Sequence, residues 1–110
     1  MIGVHIIRDK TGFIWQVAIE GHAGFAERGR DIVCAAVSVT AYTAAGALEE
    51  LAGIKNCYRA REGYMLISLP QNLTADQKQT AKIILETTAI GFKQIEFSYG
   101  DYISVLDEEV

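Results

Sequence analysis

The sequence predicts an α+β fold: two helices packed on one face of a mixed or antiparallel sheet, in the order ββαββαβ(β). Three observations lead there. Short β-rich segments come in pairs around turn residues, at DKTG (9–12) and EG (62–63). Two longer segments open on helix-start signals, Asp31 and the pair Thr74 and Gln77. The chain has 110 residues, of which 50% are hydrophobic and 22% charged, enough for one globular domain, 1–110, that buries a core without staples.

Residues 1–8 alternate loosely and form the first strand. Residues 13–20, FIWQVAIE, form the second, so the pair reads as a hairpin. A glycine-bearing loop, 21–30, leads to Asp31, an N-cap residue for a helix reaching to about residue 52, with Gly53 just past its end. Residues 56–61 and 64–69 make a second hairpin. Thr74 and Gln77 form a T-x-x-Q capping box, and Ala81, Ile84, Leu85, Ala89 and Phe92 keep helical spacing, with Gly91 near the helix end. Residues 95–99 and 102–106 read as a last strand or hairpin around GD, and the tail DEEV as frayed.

The formal charge is −4, and no run of Lys or Arg occurs, so a direct grip on nucleic acid is not expected. Residues 32–48 run seventeen residues without a charge, but the stretch is rich in Ala, Thr and Gly and short for a membrane span. It reads as a helix buried in the protein, partly against a second subunit. Cys34 and Cys57 form no disulfide framework, and with no signal peptide at the N-terminus both read as free thiols in a reducing cytoplasm. Cys57, opening a strand, reads as a packed thiol, and His5, inside the first strand, as facing solvent or an interface. His5, His22, Cys34 and Cys57 suit zinc by type, but no two stand at C-x2-C or H-x3-H spacing. No Walker loop, dinucleotide fingerprint or H-E-x-x-H occurs either, so neither metal nor cofactor is expected.

The chemistry concentrates in GHAGFAERGRDIVCAAVS, residues 21–38. A cysteine works as its thiolate, and at an ordinary pKa of ~8.5 only about 3% is ionised at neutral pH. Two features would favour the ion. With Asp31 as N-cap, Cys34 falls in the first helical turn, near the positive end of the helix dipole, where free N–H groups could also receive an oxyanion. His22 would stabilise the thiolate as an imidazolium and move its proton as a base. Asp31 either orients His22 or caps the helix. Close to Cys34 it would oppose the thiolate unless turned toward the histidine or the backbone. Ser38, one turn beyond Cys34 on the same face, either bonds the thiol region or a substrate, or bonds back into its own helix. Gly24 and Gly29 allow the loop to bend as a lid, or simply as an exposed connector.

These residues resemble the ribosomal-processing cysteine protease family, Prp. The likeness lies in a Gly-His-Ala turn (Gly21, His22, Ala23) followed by Gly29, Asp31, Val33, Cys34, Ala35 and Ser38 in the order Gly-x-Asp-x-Val-Cys-Ala-x-x-Ser. It extends over the whole chain. The resemblance implies an α+β homodimer and a cysteine endopeptidase that removes a short N-terminal extension from large-subunit ribosomal protein twenty-seven, cutting after an apolar stretch that ends in aromatics. It implies Cys34 as nucleophile and His22 as general base, with Gly21, Asp31 and Ser38 supporting and the 21–30 loop as a mobile cover. A cleft for such a peptide is expected to be rimmed by Phe25, Ile32 and aromatics of the second hairpin. Two rivals stand beside this reading: a ribosome-associated binding or assembly factor with an inert Cys34, and a thiol-dependent transferase or hydrolase of small acyl substrates.

Overall fold

The structure, a computed structural model, describes residues 1–27 and 30–109. Its elements run β1 (Ile2–Arg8), β2 (Ile14–Glu20), α1 (Ile32–Glu50), β3 (Tyr58–Arg61), β4 (Tyr64–Ser68), α2 (Ala75–Tyr99) and β5 (Ile103–Glu109). The five strands form one sheet in the order β3-β4-β2-β1-β5. Only the β1–β5 pair is parallel; the other neighbours are antiparallel. The sheet is therefore mixed, as expected.

Local chemistry explains the joints. The Asp9 carboxylate accepts the Thr11 N–H at 2.8 Å, the Thr11 hydroxyl at 2.6 Å and the Phe13 N–H at 3.1 Å, which closes the β1–β2 turn. Helix α1 begins under the Asp31 cap and ends where Gly53, at φ +67°, turns the chain back and the Ile54 N–H reaches the Leu48 carbonyl at 3.0 Å. Helix α2 opens with the full capping box, Thr74 Oγ1 accepting from the Gln77 N–H at 3.1 Å and Gln77 Oε1 from the Thr74 N–H at 3.0 Å.

The apolar residues of β1 alternate in burial: Ile2, Val4 and Ile6 point into the core, and His5 and Ile7 to the other face. Onto the core face α1 lays Val33, Val37, Ala41, Ala44, Ala45 and Leu48, and α2 lays Ala81, Leu85, Ala89 and Phe92. The small residues let both helices lie close to the sheet and to each other. At Gly91 a Cβ would stand 3.4 Å from the Thr40 methyl of α1, so this glycine marks a helix–helix approach. By length and composition α1 would also suit a membrane, but here one of its stripes belongs to the core.

Two expectations are corrected. Residues 95–99 continue α2 instead of starting a strand, and Gly91 lies well inside that helix. Phe92, Ile95, Glu96 and Tyr99 follow 3.6-residue spacing; the apparent alternation came from Phe97, which is 93% exposed. The acidic segment expected to fray is instead ordered through residue 109 as the end of β5, beside β1. Asp107 binds Arg8 Nε at 2.7 Å and Lys93 Nζ at 2.8 Å, while Arg8 also binds Glu86 at 2.6 Å and the Gly12 carbonyl at 2.9 Å. These ties join β1, α2 and β5. The Arg8 and Lys93 contacts hold the Asp107 carboxyl down at about 2 despite partial burial. Val110, the last residue of that tail, lies outside the described residues.

Candidate active site

The end of β2 sets the position of the histidine. Gly21 follows Glu20 with φ +96°, and a Cβ there would strike the Met1 carbonyl oxygen, so only glycine fits. Its N–H donates to the Gly63 carbonyl at 2.9 Å, tying the chain to the β3–β4 turn. His22 comes next, exposed, its ring lying against Gly63. A Cβ on Gly63 would be 3.0 Å from His22 Nε2, and Gly63 itself has φ +71°. The turn that reads as a mere hairpin connector is thus the seat of the imidazole.

The cysteine comes from the other wall. Cys34 stands in the first turn of α1, half-buried, and its Sγ accepts the Ala23 N–H at 3.4 Å. Among the described residues that sulfur contact comes from the Ala23 amide and not from the His22 ring. His22 and Cys34 line one open cavity of about 750 Å³ between α1 and the β3–β4 hairpin. The geometry brings together a thiol, an imidazole and a cleft with room for a chain segment, the parts that nucleophilic acyl chemistry requires.

Asp31 caps the helix and does not reach for His22. Its Oδ1 accepts the N–H groups of Val33 at 3.0 Å and Cys34 at 2.9 Å. Its Oδ2 accepts the Phe25 N–H at 3.0 Å and the Ala26 N–H at 3.5 Å. Desolvation alone would raise the Asp31 pKa, but these backbone donors and the Cys34 thiol together hold it below the usual carboxylate range. One carboxylate therefore fastens Phe25 and Ala26 to the helix start, mainly through backbone donors, with the Cys34 thiol also in its reach. The arrangement also corrects the expected oxyanion donors. The N–H groups of Val33 and Cys34 are taken by Asp31 Oδ1, and that of Ala35 by the Asp31 carbonyl at 3.0 Å.

Ser38 lines the cavity, is exposed, and does not bond back to its own helix as Thr40 does to Ala36 at 2.8 Å. Phe25 and Ile32, expected at the rim, do not line the cavity. Phe25 turns away to pack edge-on against Tyr99 and Tyr102, centroids 5.8 Å and 5.1 Å apart, and Ile32 is 52% exposed elsewhere on α1. The apolar lining comes instead from Ile2, Ile19, Val37, Ala41, Tyr42 and Met65, and Tyr64 supplies the expected hairpin aromatic. Tyr42 was missed, although it stands four residues past Ser38 and eight past Cys34, on one helical face. Arg61 reaches across the Tyr64 ring at 4.8 Å on the hairpin side. Gly24 has φ +69°, a bend that favours glycine, whereas Gly29, the other proposed hinge, lies outside the described residues. Cys57 is buried away from this cavity, and burial pushes its thiol up. Among the described residues no group of three or more His, Cys, Asp or Glu side chains is placed to share a metal ion.

Known proteins share this arrangement of chain. Residues 1–104 match the family model described as Cysteine protease Prp. The ribosomal processing cysteine protease Prp of Bacillus subtilis is 33% identical over 107 residues, 96% of each chain. A crystal structure of the essential ribosomal processing protease Prp from S. aureus, with a covalently linked product peptide, superposes with a TM-score of 0.86 at 26% identity, covering 98% of this chain and 100% of that one. The same protease with a substrate peptide gives 0.81 at 25% identity, over the same shares of both chains. The Streptococcus mutans protein SMU.848 gives 0.86 at 31% identity, covering 100% of this chain and 96% of that one. With family, fold and whole-chain coverage in agreement, the chain belongs to the Prp family and is a cysteine protease.

Proposed function

We propose that this protease removes the N-terminal extension of bacterial large-subunit ribosomal protein twenty-seven, with the Cys34 thiolate as nucleophile and His22 as general base. The observation that carries the reading is the shared cavity in which the exposed His22 ring and the half-buried Cys34 sulfur face one cleft. His22 takes the thiol proton, and Sγ attacks the scissile carbonyl. His22 then returns the proton to the departing amine, leaving an acyl-enzyme. Water, deprotonated by His22, releases the new C-terminus. No cofactor takes part. The apolar lining from Ile2 to Met65 suits an apolar, aromatic-ending peptide, and the net charge of −4 favours encounter with a basic ribosomal protein in the cytoplasm. Gly21 and Asp31 support the site through the backbone, and Ser38 offers its hydroxyl to the bound peptide.

The enzyme acts as a homodimer in this reading. Support comes from large apolar side chains exposed on the helices, among them Val39, Ile83, Ile90 and Phe97. Incubation of the enzyme with the full precursor ribosomal protein, followed by intact-mass spectrometry, tests the substrate. A single cut that frees the extension supports it, and an uncut precursor beside a hydrolysed unrelated peptide assigns the enzyme a different protein substrate.

A further inference from the structure

A thiol protease must place at least one N–H donor where the carbonyl oxygen becomes an anion. The nucleophile's own N–H is the usual first candidate, and here it is occupied: Cys34 N donates to Asp31 Oδ1 at 2.9 Å, Val33 N to the same oxygen at 3.0 Å, and Ala35 N to the Asp31 carbonyl at 3.0 Å. Freeing any of them would undo the start of α1. Among the described residues, one backbone donor is left aimed at the reacting atom itself, the Ala23 N–H, 3.4 Å from Cys34 Sγ.

That amide is held from both sides. Before it, the Gly21 N–H is bound to the Gly63 carbonyl at 2.9 Å; after it, the Phe25 N–H is bound to Asp31 Oδ2 at 3.0 Å. The Ala23 side chain is 5% exposed and packs into the core, so the peptide plane between residues 22 and 23 cannot swing freely. A donor fixed in this way needs no reorganisation as charge develops, which is the condition under which such donors contribute most.

We propose that the backbone N–H of Ala23 is the oxyanion donor of this protease, passing from the Cys34 sulfur to the substrate oxygen as the carbon–sulfur bond forms. The inference rests on the assignment of Cys34 as nucleophile. In the step, Sγ bonds to the scissile carbon and the carbonyl π pair moves onto oxygen. The new anion, two bonds from sulfur, accepts the N–H that sulfur gives up. No proton transfers to it. When the adduct collapses, the pair returns, the carbon–nitrogen bond breaks, and the amine leaves with the proton from His22. Adjacent residues thus supply both the base and the anion's donor, and one short loop sets their spacing.

Removing that single N–H is the direct test. Cys34 permits assembly of the whole chain by ligating segment 1–33 to segment 34–110, with Ala23 replaced by L-lactic acid so that the amide becomes an ester. Peptide cleavage and iodoacetamide alkylation of Cys34 are then compared with the ligated natural sequence. The expected result is a loss of about a hundredfold or more in kcat, at least tenfold greater than any fall in the alkylation rate that follows from taking the same N–H off the sulfur. Cleavage within threefold overturns the proposal. A parallel fall in cleavage and alkylation also overturns it, since the N–H would then act on the thiolate alone. If the ligated natural sequence is alkylated but cuts no peptide, the protease assignment of Cys34 falls and the proposal with it. A second measurement needs no substitution. In the unmodified protein labelled with nitrogen-15, a peptide aldehyde should move the Ala23 amide proton downfield more than any other loop amide, and an unmoved Ala23 signal contradicts the assignment.

Discussion

Asp31 and Phe25 are joined by a hydrogen bond from the Phe25 N–H to Asp31 Oδ2 at 3.0 Å, while the other oxygen of the same carboxylate caps the helix that carries Cys34. The helix start and the loop after His22 are therefore one unit. Replacing Asp31→Asn keeps one acceptor oxygen for the cap but turns the other into a donor facing the Phe25 N–H. The loop should detach, kcat/KM should fall at least tenfold, and the thermal midpoint should drop by less than in Asp31→Ala. Because the Asp31 pKa is lowered in the folded state, its contribution is complete above the ordinary carboxylate range and is lost as pH falls through the lowered value. A pH titration of peptide cleavage and of thermal midpoint, against both variants, checks the sign.

Gly63 should behave as a positioning residue for His22. Gly63→Ala places a methyl 3.0 Å from Nε2 at a φ of +71°, so ring and turn must both move. A displacement near 1 Å is worth about a hundredfold in rate. The expected outcome is a fall in kcat of ten- to a hundredfold with KM within threefold, read from steady-state peptide kinetics. A purely structural role would lower the thermal midpoint and leave kcat per folded molecule unchanged.

Asp107 tests the fold and not the chemistry. Its carboxyl is held at about 2 by Arg8 first and Lys93 next, against 3.8 for a free group. The stabilisation is present above pH 4 and disappears as pH falls through about 2. Asp107→Asn should cost roughly 1–2 kcal/mol at pH 7, discounted for partial exposure. Urea unfolding at pH 7 measures it, and peptide cleavage at 25 °C should stay within twofold of the parent chain.

Ser38 separates substrate binding from helix packing. Its hydroxyl lies at the cavity and makes no bond back into α1, so Ser38→Ala should leave the thermal midpoint within a few degrees. If the hydroxyl meets the peptide, kcat/KM falls between threefold and thirtyfold, within the range of one neutral hydrogen bond at about 0.5–1.5 kcal/mol and some added loss from an unpaired substrate group.

Local signals were readable wherever one residue's chemistry decides. The Asp31 cap, the Thr74 and Gln77 box and the Gly53 stop are set by side chain–backbone bonds a few residues apart, and all three stand where the sequence puts them. The misread end of α2 has a different cause. Ile95 to Tyr99 satisfies both periods, and the contacts that select the helix, such as Glu96 Oε2 accepting the Val105 N–H at 2.6 Å, come from β5. The tail is held by Arg8, ninety-nine residues away from Asp107, a pairing that no local pattern announces. In the same way His22 and Cys34 were legible as a motif, but their supports were not. Gly63 is a turn residue by sequence and a seat for the imidazole only because β4 pairs with β2. Phe25 was expected at the cleft because it is a loop aromatic, and it faces Tyr99 and Tyr102 because α2 runs on to meet it.

The central claim is that Cys34 and His22 act as nucleophile and base in one cleft. The direct measurement is cleavage of a peptide spanning the ribosomal extension and the first mature residues by the parent chain, Cys34→Ser and His22→Ala, with products identified by mass spectrometry and folding checked by thermal midpoint. The account predicts one cut at the junction by the parent chain and rates at least a thousandfold lower in both folded variants. Cleavage that persists in folded Cys34→Ser or His22→Ala at more than a tenth of the parent rate would contradict it.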